Sequence, residues 1–318
     1  MLNKVILADE DRKAVRDLLV EIRCDPKNLE ESSFLERAAL FAQELPVRIR
    51  EAFYEFKLRE SSTVLLITNN PVSPEDVGPT PQTHWRPGES RPLNLPQVMH
   101  GLYSSLLGEP FGFDTQQRGR VFNDLIPIRG EPANSSSGGG DIGLHTEDVS
   151  QPFMPDYLGL ACLRNDERAA TTFSSLWQTK IPEAILRVLF EERFPVKRHL
   201  NASAPATRSV LFGDPKRPYL RYGSIDYDKC NSEMAYAMRF ISTELERNRQ
   251  SVTLSQGDCL YLDNFISVHG RATYQPNYNS NGRWFGRLVI ARDLRATRAF
   301  RAAPDARVML KSVYQAHE

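Results

Sequence analysis

The stretch Ser255-Gln-Gly-Asp-Cys-Leu-Tyr-Leu-Asp-Asn-Phe-Ile-Ser-Val-His-Gly-Arg271 shows the texture of the second half of the chain. A turn at Gln256-Gly257-Asp258 opens a short apolar run from Cys259 to Asn264. A second turn at Asp263-Asn264 closes it, and His269 follows. Short apolar runs bounded by turn residues read as strands. The same signature recurs at Tyr157 to Leu163, Ala170 to Ser174, Ser209 to Phe212, Tyr219 to Tyr222, Gln250 to Leu254 and Arg287 to Arg292. Two helices interrupt these strands, Pro182 to Glu191 and Ser232 to Asn248.

Toward the N-terminus the period changes from two to three-and-four. Residues 11–23 carry Val15, Leu18, Leu19 and Ile22 on one helical face. A second helix follows from Ser33 to Leu45. Pro46 ends it or begins a third, which runs to Lys57. Ser62 to Thr68 is a β-branched run closed by Asn69-Asn70-Pro71, read as a buried strand and a turn. Residues 71–96 hold seven prolines and read as a long irregular loop. Leu95 to Leu107 is a helix with Asn94 as its cap and Pro96 in its first turn. Val121 to Ile128 reads as a strand, and Asn134 to Gly140 as a flexible loop. Helices in front and many short strands behind predict an α+β, mainly β fold. Its core reads as a barrel or a double-sheet jelly roll with a helical coat. The expected organisation is a single domain over 1–318, with a helical layer at 1–60 and a core at 95–300.

Composition sets the limits. The 318 residues include forty Lys+Arg and forty Asp+Glu, with 41% apolar and 25% charged residues. Those are globular values, and disorder is excluded as the dominant state. With no basic excess, nucleic acid is not an expected partner. Cys24, Cys162, Cys230 and Cys259 are scattered without a CxxC and read as reduced thiols. The N-terminus turns charged after Val5 to Ala8, which is no signal peptide. No apolar run approaches the ~18 residues of a membrane span. A cytoplasmic protein with no membrane partner is expected.

The chemistry begins at His145, in Gly143-Leu-His-Thr-Glu-Asp148. Of the other histidines, His199 and His317 lie in a basic segment and the terminal tail. On an extended strand the side chains of His145 and Glu147 project from one face, so an imidazole and a carboxylate converge. Alone this is weak, since roughly 0.75 His-x-acid matches are expected by chance in such a composition. His269 lies far downstream, and Arg283 follows it by fourteen residues across the Asn- and Gly-rich turn from Asn277 to Gly282. That spacing predicts His269 and Arg283 on adjacent antiparallel strands of one hairpin, both entering one cavity. His145, Glu147 and His269 make two histidines and a carboxylate, a facial set that leaves three open positions on non-haem Fe(II). A 2-oxo acid fills two and O2 the third, while Arg283 suits the far carboxylate of that acid. A catalytically dead binding protein on a cupin-like barrel would not need the complete set. A zinc hydrolase would be expected to show a pattern such as HExxH, which is absent.

These motifs, in order, resemble the clavaminate synthase-like Fe(II)/2-oxoglutarate oxygenases. The resemblance is to the branch that hydroxylates free amino acids in natural-product pathways, with its arginine and lysine hydroxylases and asparagine oxygenase. It covers residues 95–300 and rests on Leu144-His-Thr-Glu-Asp148, Pro155 to Arg164, Asp263-Asn264 before His269-Gly-Arg271, and Arg283. Glu rather than Asp as the carboxylate ligand is a mark of that branch. The resemblance implies a double-stranded β-helix (jelly roll, cupin-like) core with flanking helices, and a 2-oxoglutarate-dependent dioxygenase using Fe(II), 2-oxoglutarate and O2. It implies iron ligands His145, Glu147 and His269, and Arg283 and Thr171 on the cosubstrate. Gln116 (or Gln117) is similar to the glutamine that meets the substrate α-amino group, and Ser135 (among Ser135 to Ser137) to a pocket serine. Arg287 is assigned to a substrate or cosubstrate carboxylate, with a purely structural role left open. Asp226 and Asp228, in a lid segment near 213–232, are similar to an acidic pair that meets the basic end of arginine. The implied substrate is a free basic amino acid: lysine, arginine or a derivative. Alternatives are a carrier-bound, peptide-bound or non-basic residue, and desaturation or cyclisation at the same centre.

Overall fold

A computed structural model gives the structure of the chain. It describes residues 2–25, 28, 30–86, 89, 91–151, 153–191, 193–197 and 207–312. His199 and His317 lie outside the described residues. The strands are β1 (Leu2–Ile6), β2 (Val64–Thr68), β3 (Glu109–Phe113), β4 (Asn123–Leu125), β5 (Ile142–His145), β6 (Tyr157–Arg164), β7 (Thr171–Ser174), β8 (Phe194–Pro195), β9 (Thr207–Arg208), β10 (Leu211–Asp214), β11 (Arg217–Leu220), β12 (Gln250–Val252), β13 (Cys259–Asp263), β14 (Val268–Arg271), β15 (Trp284–Ala291) and β16 (Val308–Met309). The helices are α1 (Asp9–Cys24), α2 (Glu31–Phe41), α3 (Val47–Arg59), α4 (Pro74–Val77), α5 (Leu95–Leu107), α6 (Glu183–Phe190) and α7 (Ser232–Arg247).

Two sheets carry the site. The large one runs β1-β2-β13-β6-β15-β3-β16, with β4 also on β15, and the small one runs β12-β7-β14-β5. On the central strands of the large sheet both faces are buried, and alternate residues serve different layers. Tyr157, Ala161, Leu163, Cys259, Tyr261, Leu288 and Ile290 pack under the N-terminal helices. Leu158, Leu160, Cys162, Leu260, Leu262, Phe285 and Val289 pack against Phe173 of the small sheet. A third cluster joins Leu144 and Val268 to α6 and α7, which cover the other face of the small sheet. The order is therefore helices, large sheet, small sheet, helices, with a polar cavity between the sheets.

The helix α5 is the pivot of the first layer. Asn94 accepts from the Gln97 N–H at 3.0 Å, and the Gln97 side chain returns to the Asn94 N–H at 3.2 Å. That reciprocal cap satisfies amide donors that a helix start leaves free. No helix among the described residues is long and apolar enough to cross a membrane.

Three local expectations change. The start of the chain forms β1, parallel to β2 at the sheet edge. Its side chains are largely exposed, so backbone bonds rather than apolar alternation hold it. The strand expected over 121–128 shortens to Asn123–Leu125, because Pro127 has no N–H to continue the ladder. Within the proline-rich loop, Ser73 caps the short α4, with its N–H 2.8 Å from an Asp76 carboxylate oxygen.

Candidate active site

His145 ends β5, and His269 lies directly opposite it on β14 in antiparallel register. Their ring centroids are 4.3 Å apart. Glu147 sits just past the strand in a turn whose backbone is clamped by Asn264. The Asn264 Oδ1 accepts from the Glu147 N–H at 2.9 Å. Its amide donates to the carbonyls of Glu147 at 3.1 Å and Pro155 at 2.9 Å. The Asp263-Asn264 turn thus brings the carboxylate-bearing loop to the histidines. Ligand atoms of His145, Glu147 and His269 all lie within 4.8 Å of one another.

The protonation states suit a cation. The His145 Nδ1 lies 3.0 Å from the Gly143 carbonyl. A carbonyl only accepts, so Nδ1 carries the hydrogen and Nε2 keeps its lone pair. Burial, and then the neighbouring His269, push the His145 imidazole down to about 4, so it is neutral near pH 7. Burial alone would raise the Glu147 carboxyl. The Arg287 charge and the His269 contact outweigh it and hold Glu147 well below the usual carboxylate range. Its Oε2 lies 3.3 Å from His269 Nε2, and its Oε1 accepts from Arg287 Nη1 at 3.0 Å. Two imidazoles and one carboxylate are the donor set of a facial site for iron.

Arg287 shares strand parity with Phe285 and Val289, which turns it between the sheets. Its Nη2 donates to Gln116 Oε1 at 2.6 Å and also to Asn123 Oδ1. The Gln116 amide donates in turn to Asp148. Burial, then the Glu147 charge, push the Asp148 carboxyl up to about 7. In this structure Arg287 orients Glu147 and Gln116.

Arg283 is buried, and its Nε and Nη1 have no partner among the described residues. Burial pushes it down to about 10. Its Cζ lies 4.1 Å from the Phe285 ring centroid. A buried guanidinium without a counter-charge is costly, and an incoming carboxylate removes that cost. Thr171, on β7, lines the same cavity of about 220 Å³ as His145, Glu147, His269 and Arg283. The residues present therefore fit a 2-oxo diacid beside a metal.

His269 and Arg283 do enter one cavity, but the single hairpin is corrected. β14 has β5 and β7 on its two edges, so neither edge is free. β15 pairs instead with β6, β3 and β4 in the large sheet. The connection over 272–283 crosses between sheets and carries Arg283 to the far wall. Of the loop serines, Ser136 lines the cavity together with Asn134, whereas the Ser135 hydroxyl accepts from the Ser137 N–H at 3.3 Å. Asp226 pairs with Lys229 at 2.9 Å, and Asp228 is exposed. Neither lines the cavity as it stands. The segment just before them abuts the site, since Thr146 N–H donates to the Tyr222 carbonyl at 2.7 Å. A wider cavity of about 660 Å³ opens outward from Leu125, Ser136 and Arg287.

Asn264 and Arg271 belong to quoted motifs, yet their roles needed the fold. Arg271 donates to the carbonyls of Ser136 at 3.2 Å, Ser135 at 3.3 Å and Gly140 at 2.7 Å. It fixes the loop that carries Ser136.

Comparison with known proteins adds independent findings. The family model described as taurine catabolism dioxygenase TauD, TfdA family, matches residues 64–289. The L-ornithine/L-arginine 3-hydroxylase of Catenulispora acidiphila is 31% identical, over 97% of this chain and 100% of that protein. Enduracididine beta-hydroxylase of Streptomyces hygroscopicus is 31% identical, over 95% of this chain and 98% of that protein. The crystal structure of the non-heme iron oxygenase OrfP in complex with Fe and alpha-ketoglutaric acid superposes with a TM-score of 0.86 and 29% identity. That match covers 97% of this chain and 100% of OrfP.

Proposed function

The chain belongs to the taurine catabolism dioxygenase TauD, TfdA family, and from that premise we propose that it is an Fe(II)- and 2-oxoglutarate-dependent dioxygenase that hydroxylates C3 of a free basic L-amino acid. The amino acid, 2-oxoglutarate and O2 give the hydroxy-amino acid, succinate and CO2. One observation carries this reading. A single cavity holds both the donor set His145, Glu147 and His269 and the buried guanidinium of Arg283, whose Nε and Nη1 have no hydrogen-bond partner among the described residues. The basic class and C3 follow from the relatives, one named for L-ornithine and L-arginine at position 3, the other for the β-carbon of enduracididine. The facing sheets are read as the double-stranded β-helix of one oxygenase domain over 1–318. The demand for 2-oxoglutarate fits a cytoplasmic location.

An iron held by His145, Glu147 and His269 supplies activation of O2 and oxidation of an unactivated C–H. The chain's own residues bind and orient. Arg283 and Thr171 hold the distal carboxylate of 2-oxoglutarate. Gln116 and Arg287 meet the α-amino and α-carboxylate groups, with Ser135 or Ser136 beside them. Asp226 and Asp228 meet the basic end of the substrate, whose cation takes the place of Lys229 on Asp226 as the lid segment closes. Lid closure excludes water from the C–H being attacked. Placement matters, since a misplacement of about 1 Å can cost about 100-fold in rate.

The test supplies the Fe(II)-loaded protein with 2-oxoglutarate and O2 and each free amino acid, reading succinate and product mass. One product a single oxygen heavier from arginine, ornithine or lysine, with succinate in equal amount, is expected. Absence of coupled turnover with every free amino acid would overturn the free-substrate reading and favour a carrier-bound residue.

A further inference from the structure

Behind the cosubstrate end of the cavity lies a buried polar cluster whose tyrosine has had no role so far. Tyr274, on the connection between β14 and β15, is only 7% exposed. Its hydroxyl has no partner among the described residues. Its ring meets two guanidinium groups, with the Arg271 Cζ 5.0 Å and the Arg283 Cζ 5.6 Å from its centroid. Among the described residues neither arginine forms an ion pair, and Arg283 is unpartnered at Nε and Nη1. Its direction is therefore set by the aromatic rings of Phe285 and Tyr274. The negative face of an aromatic ring attracts a cation, most strongly where water is excluded.

The same tyrosine is tied to the wall of the cavity. Its N–H donates to the Gly139 carbonyl at 2.9 Å. A Cβ on Gly139 would stand 2.4 Å from the Pro276 ring and 2.8 Å from the Tyr274 carbonyl, so this loop and the connection are in close backbone contact. Arg271, the other cation at the ring, holds three carbonyls of that loop. Ring, two cations and loop form one packed unit. One end of it faces the cosubstrate and the other carries Ser136.

We propose that Tyr274 is a positioning residue that holds the Arg283 guanidinium aimed into the cavity before 2-oxoglutarate binds and, through Arg271, couples its occupancy to the 134–140 loop. This rests on the reading of Arg283 as the cosubstrate anchor. A preorganised anchor loses less freedom on binding, so affinity for the anion rises without new contacts. Coupling makes the loop more ordered when the anion is present.

The experiment titrates 2-oxoglutarate into the full-length protein loaded with Mn(II), by calorimetry and without turnover. Tyr274→Leu is expected to weaken 2-oxoglutarate binding about tenfold, the loss of a desolvated cation–π contact. Tyr274→Phe, which keeps the ring, should stay within about twofold of the parent. Hydrogen exchange at Gly138 and Gly140 should slow on adding 2-oxoglutarate to the parent and not to Tyr274→Leu. Tyr274→Met, whose unbranched side chain is longer and more adaptable, replaces the leucine variant if that one does not fold. Parent-like binding by a folded Tyr274→Leu would overturn the proposal. So would a Tyr274→Phe loss as large as the leucine loss, because the hydroxyl rather than the ring would then act. Arg283→Gln separates the two readings. Parent-like 2-oxoglutarate binding by that variant sinks the anchor itself. Loss of binding there beside a neutral Tyr274→Leu sinks only the positioning role.

Discussion

The two faces of the large sheet use the same strands for opposite ends. On the helix face His100, a residue of α5 turned toward the sheet, is fully buried, its Nδ1 2.9 Å from the Tyr261 hydroxyl. It occupies the space that a Cβ on Gly159 would need. On the other face, one residue along in parity, Arg287 reaches Glu147 and the metal-ligand loop. Each face holds an imidazole that desolvation pushes down, the fully buried His100 to about 3 and the half-buried His145 to about 4. Burial and a shifted imidazole therefore do not mark function. The difference lies in surroundings: His100 sits in packed apolar and aromatic side chains, whereas His145, His269 and Arg283 line an open cavity.

That contrast can be broken in graded steps. The largest effect is expected from His269→Ala. It should lower turnover by about 1,000-fold or more, since a lost metal site removes several kcal/mol of transition-state stabilisation at tenfold per 1.4 kcal/mol. Thermal unfolding should move little, because the residue lines a cavity. A parent-like rate would remove His269 from the ligand set. Asn264→Ala comes next. Without its three backbone bonds the Glu147 turn loosens, and Fe(II) affinity should fall about 10–100-fold, as for other groups that orient ligands. Unchanged metal affinity with unchanged fold would show that the turn holds itself.

Gly159→Ala tests the other face. Its Cβ would meet His100 Cε1 at 2.6 Å and Tyr261 Cε1 at 2.9 Å. Overpacking there should cost about 1–3 kcal/mol in denaturant unfolding while the rate per folded molecule holds. A lost rate at unchanged stability would mean that the two faces are coupled. The last effect is read across pH rather than at one pH, and it comes from His100. An unfolded histidine takes a proton near pH 6.5, whereas the buried one resists it until about 3. Between these values the unfolded state binds more protons, so stability is full above the unfolded value and falls as pH drops. The slope is about 1.4 kcal/mol per pH unit. His100→Gln should remove that part of the slope between pH 6 and pH 4. Parallel slopes in parent and variant would show that the buried imidazole takes its proton without unfolding.

The legible part of the site was what residue type and short spacing could show. The pair at His145 and Glu147, His269 after a turn, and Arg283 beyond it named a metal and an anion before any fold was known. Helices α1 and α2 followed from apolar spacing and α5 from its cap and first-turn proline, and the structure also has α3, α6 and α7 where the sequence reading put helices. β1 escaped notice because its partner, β2, lies some sixty residues away and its exposed side chains leave no apolar signature.

The sequence alone determined the chemistry, because ligand identity is a property of side chains: an imidazole, a carboxylate and a guanidinium keep their donors and charges in any fold. Only the tertiary structure decided which of them meet. The edges of β14 were already taken, so β15 had to join the other sheet and bring Arg283 and Arg287 to the site from the opposite wall. The parity of β15 then turned Arg287 onto Glu147 rather than toward the helices. The small bonds that hold Asn264 to the Glu147 turn and Arg271 to the 134–140 loop join residues more than a hundred positions apart. Hydrogen bonds act over about 3 Å, and no local pattern in the chain records which distant backbone will arrive within that reach.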